Sequence, residues 1–265
     1  MKVSRTPFAL MTFAGLALVA CGGGEAPKSE SAAPKSEAAA AKSEAAPAAA
    51  AGSASISGKI KFDGAAPAPE KVKLNADPKC AAMHKEGLER WQVHVTDGGV
   101  ADVLVYVKSG ATGTYPVPSE PVVMDQKGCD YSPHMVVLRA GQPLKIRNSD
   151  DTLHNIHPRP TVNAEFNIGQ PRQGMESVRE GDKGFSKAEI MIPVGCDVHP
   201  WMRAFISVVD NPFYAVSGAD GSFEIKGLPA GEYEIEAIHG KLKSQTQKVT
   251  VKDGEAAKLD FTFKG

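Results

Sequence analysis

Aromatic residues are scarce in this 265-residue chain, at 6%, while 19 prolines and 26 glycines punctuate it. That balance argues against a helical bundle and for a turn-rich fold joined to a low-complexity linker. A cationic surplus is also missing. The 30 Lys and Arg face 31 Asp and Glu, for a formal charge of −1, so nothing compensates a phosphate backbone and nucleic-acid binding is not expected. Enzyme signatures are absent as well: there is no G-x-S-x-G elbow, H-E-x-x-H pair, Walker loop, G-x-G-x-x-G turn or C-x-x-C-H haem attachment. A non-enzymatic role is the expectation. Cysteine occurs only four times. What remains, at 42% hydrophobic and 23% charged, is enough for one or two globular domains.

The one long apolar run, Phe8 to Ala20 behind Lys2 and Arg5, is short for a membrane span and has the form of a signal peptide. Its end, Leu18-Val19-Ala20-Cys21-Gly22, resembles a bacterial lipobox. That resemblance implies cleavage after residue 20 and lipidation of Cys21. With Gly rather than Asp at position 22, it also implies an outer-membrane lipoprotein of a Gram-negative envelope, facing the periplasm. Removal of residues 1–20 deletes two positive charges and leaves −3. Residues 21–54 are nearly all Ala, Ser, Lys, Glu, Pro and Gly, with Pro-Lys-Ser-Glu repeating at 27–30 and 34–37. Prolines and the want of apolar a and d positions oppose a coiled coil, so this stretch reads as a tether with a reach of about 5–6 Å × √n.

From residue 55 onward, apolar residues recur with a period of two: Ile56, Ile60 and Phe62; Val103, Val105 and Val107; Ile190, Ile192 and Val194; Tyr233, Ile235 and Ala237. Gly-rich turns such as Ala-Asp-Gly and Lys-Asp-Gly-Glu separate the later ones. The fold expected is all-β, with a short helix in the Ala-, Leu- and Lys-containing stretch from Cys80 to Trp91. The polar, Gly-rich segment 158–187 reads as an exposed loop, or else as a cover over a functional site or a partner surface.

The densest chemistry is Cys196-Asp197-Val198-His199-Pro200-Trp201-Met202, with Leu153-His154-Asn155-Ile156-His157 upstream. A thiolate, two imidazoles and a thioether are the donors of blue-copper centres. A strand ending at Val194 delivers Cys196 to a loop that also carries His199 and Met202, and His154 comes from a second loop at the same end. These motifs resemble the cupredoxin family over about 122–210, in particular its amicyanin-like members, which share the Cys-x₂-His-Pro-aromatic-Met-Arg loop and the upstream His-Asn. The resemblance implies a Greek-key sandwich and one type 1 copper held by His154, Cys196, His199 and Met202. It makes Asn155 the residue that hydrogen-bonds across to the ligand loop. It also brings the edge of His199 to the surface, with Pro200 and Trp201 as the electron-transfer patch. Pro193-Val194-Gly195 stands where such strands usually carry an aromatic residue.

Asp220 to Ile225 and Gly227 to Tyr233 resemble the carboxypeptidase regulatory-like domain, a small β-sandwich without catalytic residues, and Ile56 to Phe62 looks like its opening strand. The partition is therefore 1–20 signal, 21–54 tether, 55–119 N-terminal β region, 120–211 copper domain and 212–265 regulatory-like sandwich. The copper domain is either inserted in that sandwich or packed against it. With Cys21 lipidated and Cys196 on copper, Cys80 and Cys129 are left to form a disulfide in an oxidising envelope. The competing use of Cys129 is a second metal site with His134, Met135 or His84. His94 and His239 read as structural and His157 as surface. The function expected is a membrane-tethered carrier of single electrons between envelope redox proteins. The alternatives are a copper-handling module without turnover and a structural binding sandwich.

Overall fold

The computed structural model describes residues 52–74 and 77–265. The signal peptide, Cys21 and nearly all of the tether lie outside the described residues. The fold is all-β. Among the described residues the only helices are Pro78–Met83 and the 3₁₀ turn Gly181–Lys183. Asp77 caps the first by accepting from the amides of Lys79 and Cys80, with Pro78 in the first turn. The helix expected up to Trp91 is thus shorter and earlier. Gly87 adopts a φ of +94°, and Leu88–Arg90 pairs as a strand with Glu70–Val72 instead.

Two sandwiches are built from the chain. In the first, Ala54–Asp63 pairs antiparallel with Ser222–Leu228 and parallel with Ala256–Lys258 and Phe261–Lys264. Leu104–Ser109 lies between Tyr214–Val216 and Gly231–Ile238 in the facing sheet. Alternate residues turn inward, so that Ile56, Ile60, Val105, Phe223, Ile235 and Phe261 share one core. Strands from both ends of the chain are needed to close it. The 55–119 and 212–265 regions, separate in the sequence partition, therefore make one sandwich, with the segment 120–211 inserted within it, as one of the two arrangements expected from the sequence. Gly58 permits the closure: a Cβ there would lie 1.8 Å from the Leu259 carbonyl oxygen.

The second sandwich occupies the insertion. One sheet runs Glu176–Arg179, Leu144–Asn148, Val122–Gln126, Tyr131–Ser132, and the other Ile168–Gln170, His154–Pro158, Glu189–Gly195, Arg203–Val209, Met135–Arg139. Met124, Leu138, Ile146, Ile156 and Ile206 fill the space between them. Met135–Arg139 is buried throughout because both of its faces are covered. Val136 and Leu138 enter the second core, while Met135 and Val137 pack with Leu104 and Val209 at the seam between the sandwiches. The 158–187 segment is not a simple exposed loop. Two of its stretches are sheet strands, and Phe185 is buried in the core.

Candidate metal centre

Strand Glu189–Gly195 delivers Cys196, strand Arg203–Val209 leads away from Met202, and the turn between them is closed on itself. The Cys196 amide donates to the Met202 carbonyl (3.2 Å), the Met202 amide to the His199 carbonyl (2.9 Å), and the His199 amide to Cys196 Sγ (3.3 Å). His154 opens the neighbouring strand His154–Pro158, whose far end pairs with Val194 and Gly195. The pairing brings His154 beside the loop. His154 Nδ1 lies 2.9 Å from His199 Nδ1, and Cys196 Sγ lies 3.8 Å from His199 Nδ1. One donor atom from each of the three residues fits within 4.8 Å. All are buried, and Met202 is buried in the same cluster.

Asn155 sits between strand and loop. Its Oδ1 accepts from the amides of Asp197 (2.7 Å) and Val198 (3.4 Å) and lies 3.1 Å from Cys196 Sγ, while its Nδ2 donates to Asn167 Oδ1 at 2.7 Å. His157, read as surface, is tied in as well. It reaches Glu165 Oε1 at 2.6 Å and Asp197 Oδ2 at 3.1 Å.

Two carboxylates face the outer nitrogens of the paired histidines. His154 Nε2 is 2.9 Å from Asp150 Oδ2, and His199 Nε2 is 2.8 Å from Asp77 Oδ2. Asp150 also accepts from the amides of Gly128 (2.8 Å) and Cys129 (2.7 Å). Burial acts to raise the Asp77 carboxyl, but the Cys80 amide, the His199 ring and Thr152 hold it down at about 2. Asp150 is likewise held low against burial by His154 and the two amides. Both are therefore carboxylates, acceptors only, and each Nε2 carries the donated proton. Both Nδ1 atoms then face Cys196, whose thiol burial would raise but which the two imidazoles and the backbone amides of Asn155 and His199 bring down to about 6. Two imidazole nitrogens 2.9 Å apart beside a sulfur are satisfied by a shared cation, either a proton or a metal ion. This donor set fits copper, with soft sulfur and imidazole ligands and outer nitrogens fixed by hydrogen bonds.

The surroundings of His199 depart from the sequence expectation. Its edge is not at the surface, because residues 77–91 fold over it. Besides the Asp77 contact, Cys80 Sγ is 3.8 Å from Nε2, and the ring is 1% exposed. Cys80 is bonded to Cys129, with Cα atoms 5.8 Å apart, so the sulfur needed for a second site with His84, His134 or Met135 is already used. His84 instead approaches the Gly128 carbonyl at 2.7 Å. Arg90 closes the cover by donating to the carbonyls of Trp201 and, at 2.8 Å, Arg203. Trp201 lies 5.0 Å from the His199 ring between centroids and donates from Nε1 to the Cys129 carbonyl at 3.0 Å. Pro200 is exposed and Trp201 half-buried. Sequence reasoning missed Asp77, Arg90 and Asp150. Only Asp150, four residues before His154, stood within a recognisable spacing.

The family model of the carboxypeptidase regulatory-like domain matches residues 199–264, running from the ligand loop to the last strand of the first sandwich. Sequence comparison with curated proteins gives no significant match. Among solved structures, a copper-containing nitrite reductase from Thermus scotoductus is similar at 20% identity and a TM-score of 0.29, over 40% of this chain and 25% of its own. The chain thus spans about a quarter of that relative. An amicyanin variant in its Cu(I) state is similar at 18% identity and a TM-score of 0.29, over 40% of this chain and 98% of its own. A purple cupredoxin from Nitrosopumilus maritimus is similar at 18% identity and a TM-score of 0.28, over 33% of this chain and 99% of its own.

Proposed function

We propose that this chain is a type 1 copper protein, tethered to the outer membrane through a lipid on Cys21, that carries single electrons between redox proteins of the cell envelope. The observation that carries the reading is the convergence of His154 Nδ1, His199 Nδ1 and Cys196 Sγ, with both outer histidine nitrogens committed to carboxylates. Copper, when bound, supplies a one-electron couple. The chain holds the ligands in place for both oxidation states: Asp150 and Asp77 fix the ring orientations, Asn155 pins the loop, and the buried Met202 stands behind it. Since His199 is covered, the proposed electron path runs through the Trp201 ring and Pro200. Enclosure by residues 77–91 favours a resident ion over one handed to a partner. No bond-making step is assigned, so the protein is read as a carrier, not an enzyme.

The test is the visible spectrum of the full chain loaded with Cu(II), beside Cys196→Ser and Cys21→Ala. An intense thiolate-to-copper band that is lost in Cys196→Ser and kept in Cys21→Ala is the expected result. Tight Cu(I) binding without colour would transfer the assignment to copper handling, and no binding would remove the metal altogether. Cys21→Ala should also leave the membrane fraction. If it stays there, the lipid tether is wrong.

A further inference from the structure

Beside the candidate metal centre, a cleft of about 590 Å³ lined in part by Trp201 opens where the sandwiches meet. Its lining has three independent features. The chain contains only two tryptophans, and both Trp91 and Trp201 line this cleft. Trp91 is 41% exposed although it stacks on His94 at 5.3 Å, so a large indole is left facing open space. The rim is cationic although the chain as a whole is almost neutral. Lys71, Lys73, Arg90, Arg203 and Lys241 meet only Glu70 and Asp102. Among the described residues Lys71, Lys73, Arg203 and Lys241 have no carboxylate within 4.0 Å. Both acids already have partners: Glu70 accepts from Gln92 Nε2, and Asp102 lies 3.7 Å from His134 Nδ1. Finally, Val194, Ala204 and Phe205 contribute apolar lining.

We propose that this cleft binds a small planar aromatic anion, with its ring against the indoles of Trp91 and Trp201 and its carboxylate or sulfonate toward the unpaired lysines and Arg203. The volume falls within the range of small-molecule pockets, about 300–1,000 Å³. The indole faces supply area at low conformational cost, and a cationic rim selects the sign of the ligand. A partner protein would have to insert an acidic loop into a space of small-molecule size, which makes it the less favoured occupant. The site depends on neither copper nor electron transfer.

Calorimetric titration of the full chain, with and without copper, tests this using naphthalene sulfonate, naphthylmethylammonium and methanesulfonate. The expected result is saturable binding of naphthalene sulfonate in both forms, about 10-fold or more tighter than either of the others. Trp91→Ala, and Lys71→Glu combined with Lys241→Glu, should each weaken it by about 10-fold. An unchanged far-ultraviolet circular dichroism spectrum shows that the variants are folded. Equal binding of the cationic and anionic naphthalenes, unaltered affinity in both folded variants, or no saturable binding of naphthalene sulfonate would each overturn the proposal. Failure of the copper band with anion binding intact would sink the proposed function and leave the cleft standing.

Discussion

The two sandwiches have apolar cores of similar make-up but differ in what else they bury. In the first, the buried polar residues are Ser217 and Glu236, whereas the second encloses Gln126, Arg139, Gln142, Asn148, Asp150, His154, Asn155, Gln170, His199 and Ser207. Burial of polar groups is costly unless each finds a partner, and here nearly all do, with Gln126 Oε1 among the few atoms that lack one. In the first sandwich apolar packing dominates, with Ser217 and Glu236 each paired locally. In the second, a network of amides, imidazoles and carboxylates converges on one end, an arrangement that fixes geometry more than it adds stability.

That contrast should break most visibly at the cover. The Cys80–Cys129 bridge spans 49 positions, and in the chain-entropy model a loop of that length stabilises the fold by about 4 kcal/mol. Replacing both cysteines with Ala should lower the unfolding free energy in denaturant by about that amount and expose His199 to competition by external imidazole. A loss below about 1 kcal/mol would mean that the bridge does not constrain the unfolded chain. If imidazole left the copper band unchanged, the bridge would not be what shields His199, and the cover would rest on Asp77, Arg90 and Trp201.

A smaller effect separates the cores directly. Ile235 in the first sandwich and Ile156 in the second are both fully buried, and truncation of either to Val removes one methyl group at a cost of about 1 kcal/mol. Only Ile156, which follows His154 and Asn155 along its strand, should shift the copper band. Equal shifts from both variants would show that the first sandwich also sets the geometry of the site.

The same contrast explains what was legible in the sequence. The period-two strands and the Cys196, His199, Met202 loop are local patterns, readable because each lies within a few residues. The pairing of Cys80 with Cys129 followed from counting thiols. The closure of the first sandwich was suggested only by the resemblance of Ile56 to Phe62 to an opening strand, since Ala54–Asp63 finds its partners beyond residue 220 and no local pattern fixes that pairing. Nor was Asp77, which reaches His199 across 122 positions and looks in sequence like an ordinary helix cap. Covering His199 is a tertiary event, and the expectation of an exposed ring edge failed for that reason.

The smallest effect lies at the seam, where His134 faces both sandwiches. Its ring is 3.7 Å from Asp102 in the first and 2.9 Å from Asp130 in the second. Hydrogen bonds to Asp102 and Asp130 raise its pKa to about 9 against the opposing effect of burial. The folded state therefore holds the proton more tightly than the unfolded chain, whose histidine titrates near 6.5. The contribution of His134 is complete below about pH 6.5 and declines as pH rises through about 9. Because 45% of the side chain is exposed, screening keeps the effect small, within the range of surface ion pairs. The stability gap between the native protein and His134→Gln, measured by urea unfolding, should be widest below about pH 6.5 and close by about pH 10. A gap that persists unchanged at high pH would assign His134 to packing at the seam, and the two sandwiches would then be joined by apolar contacts without a contribution from charge.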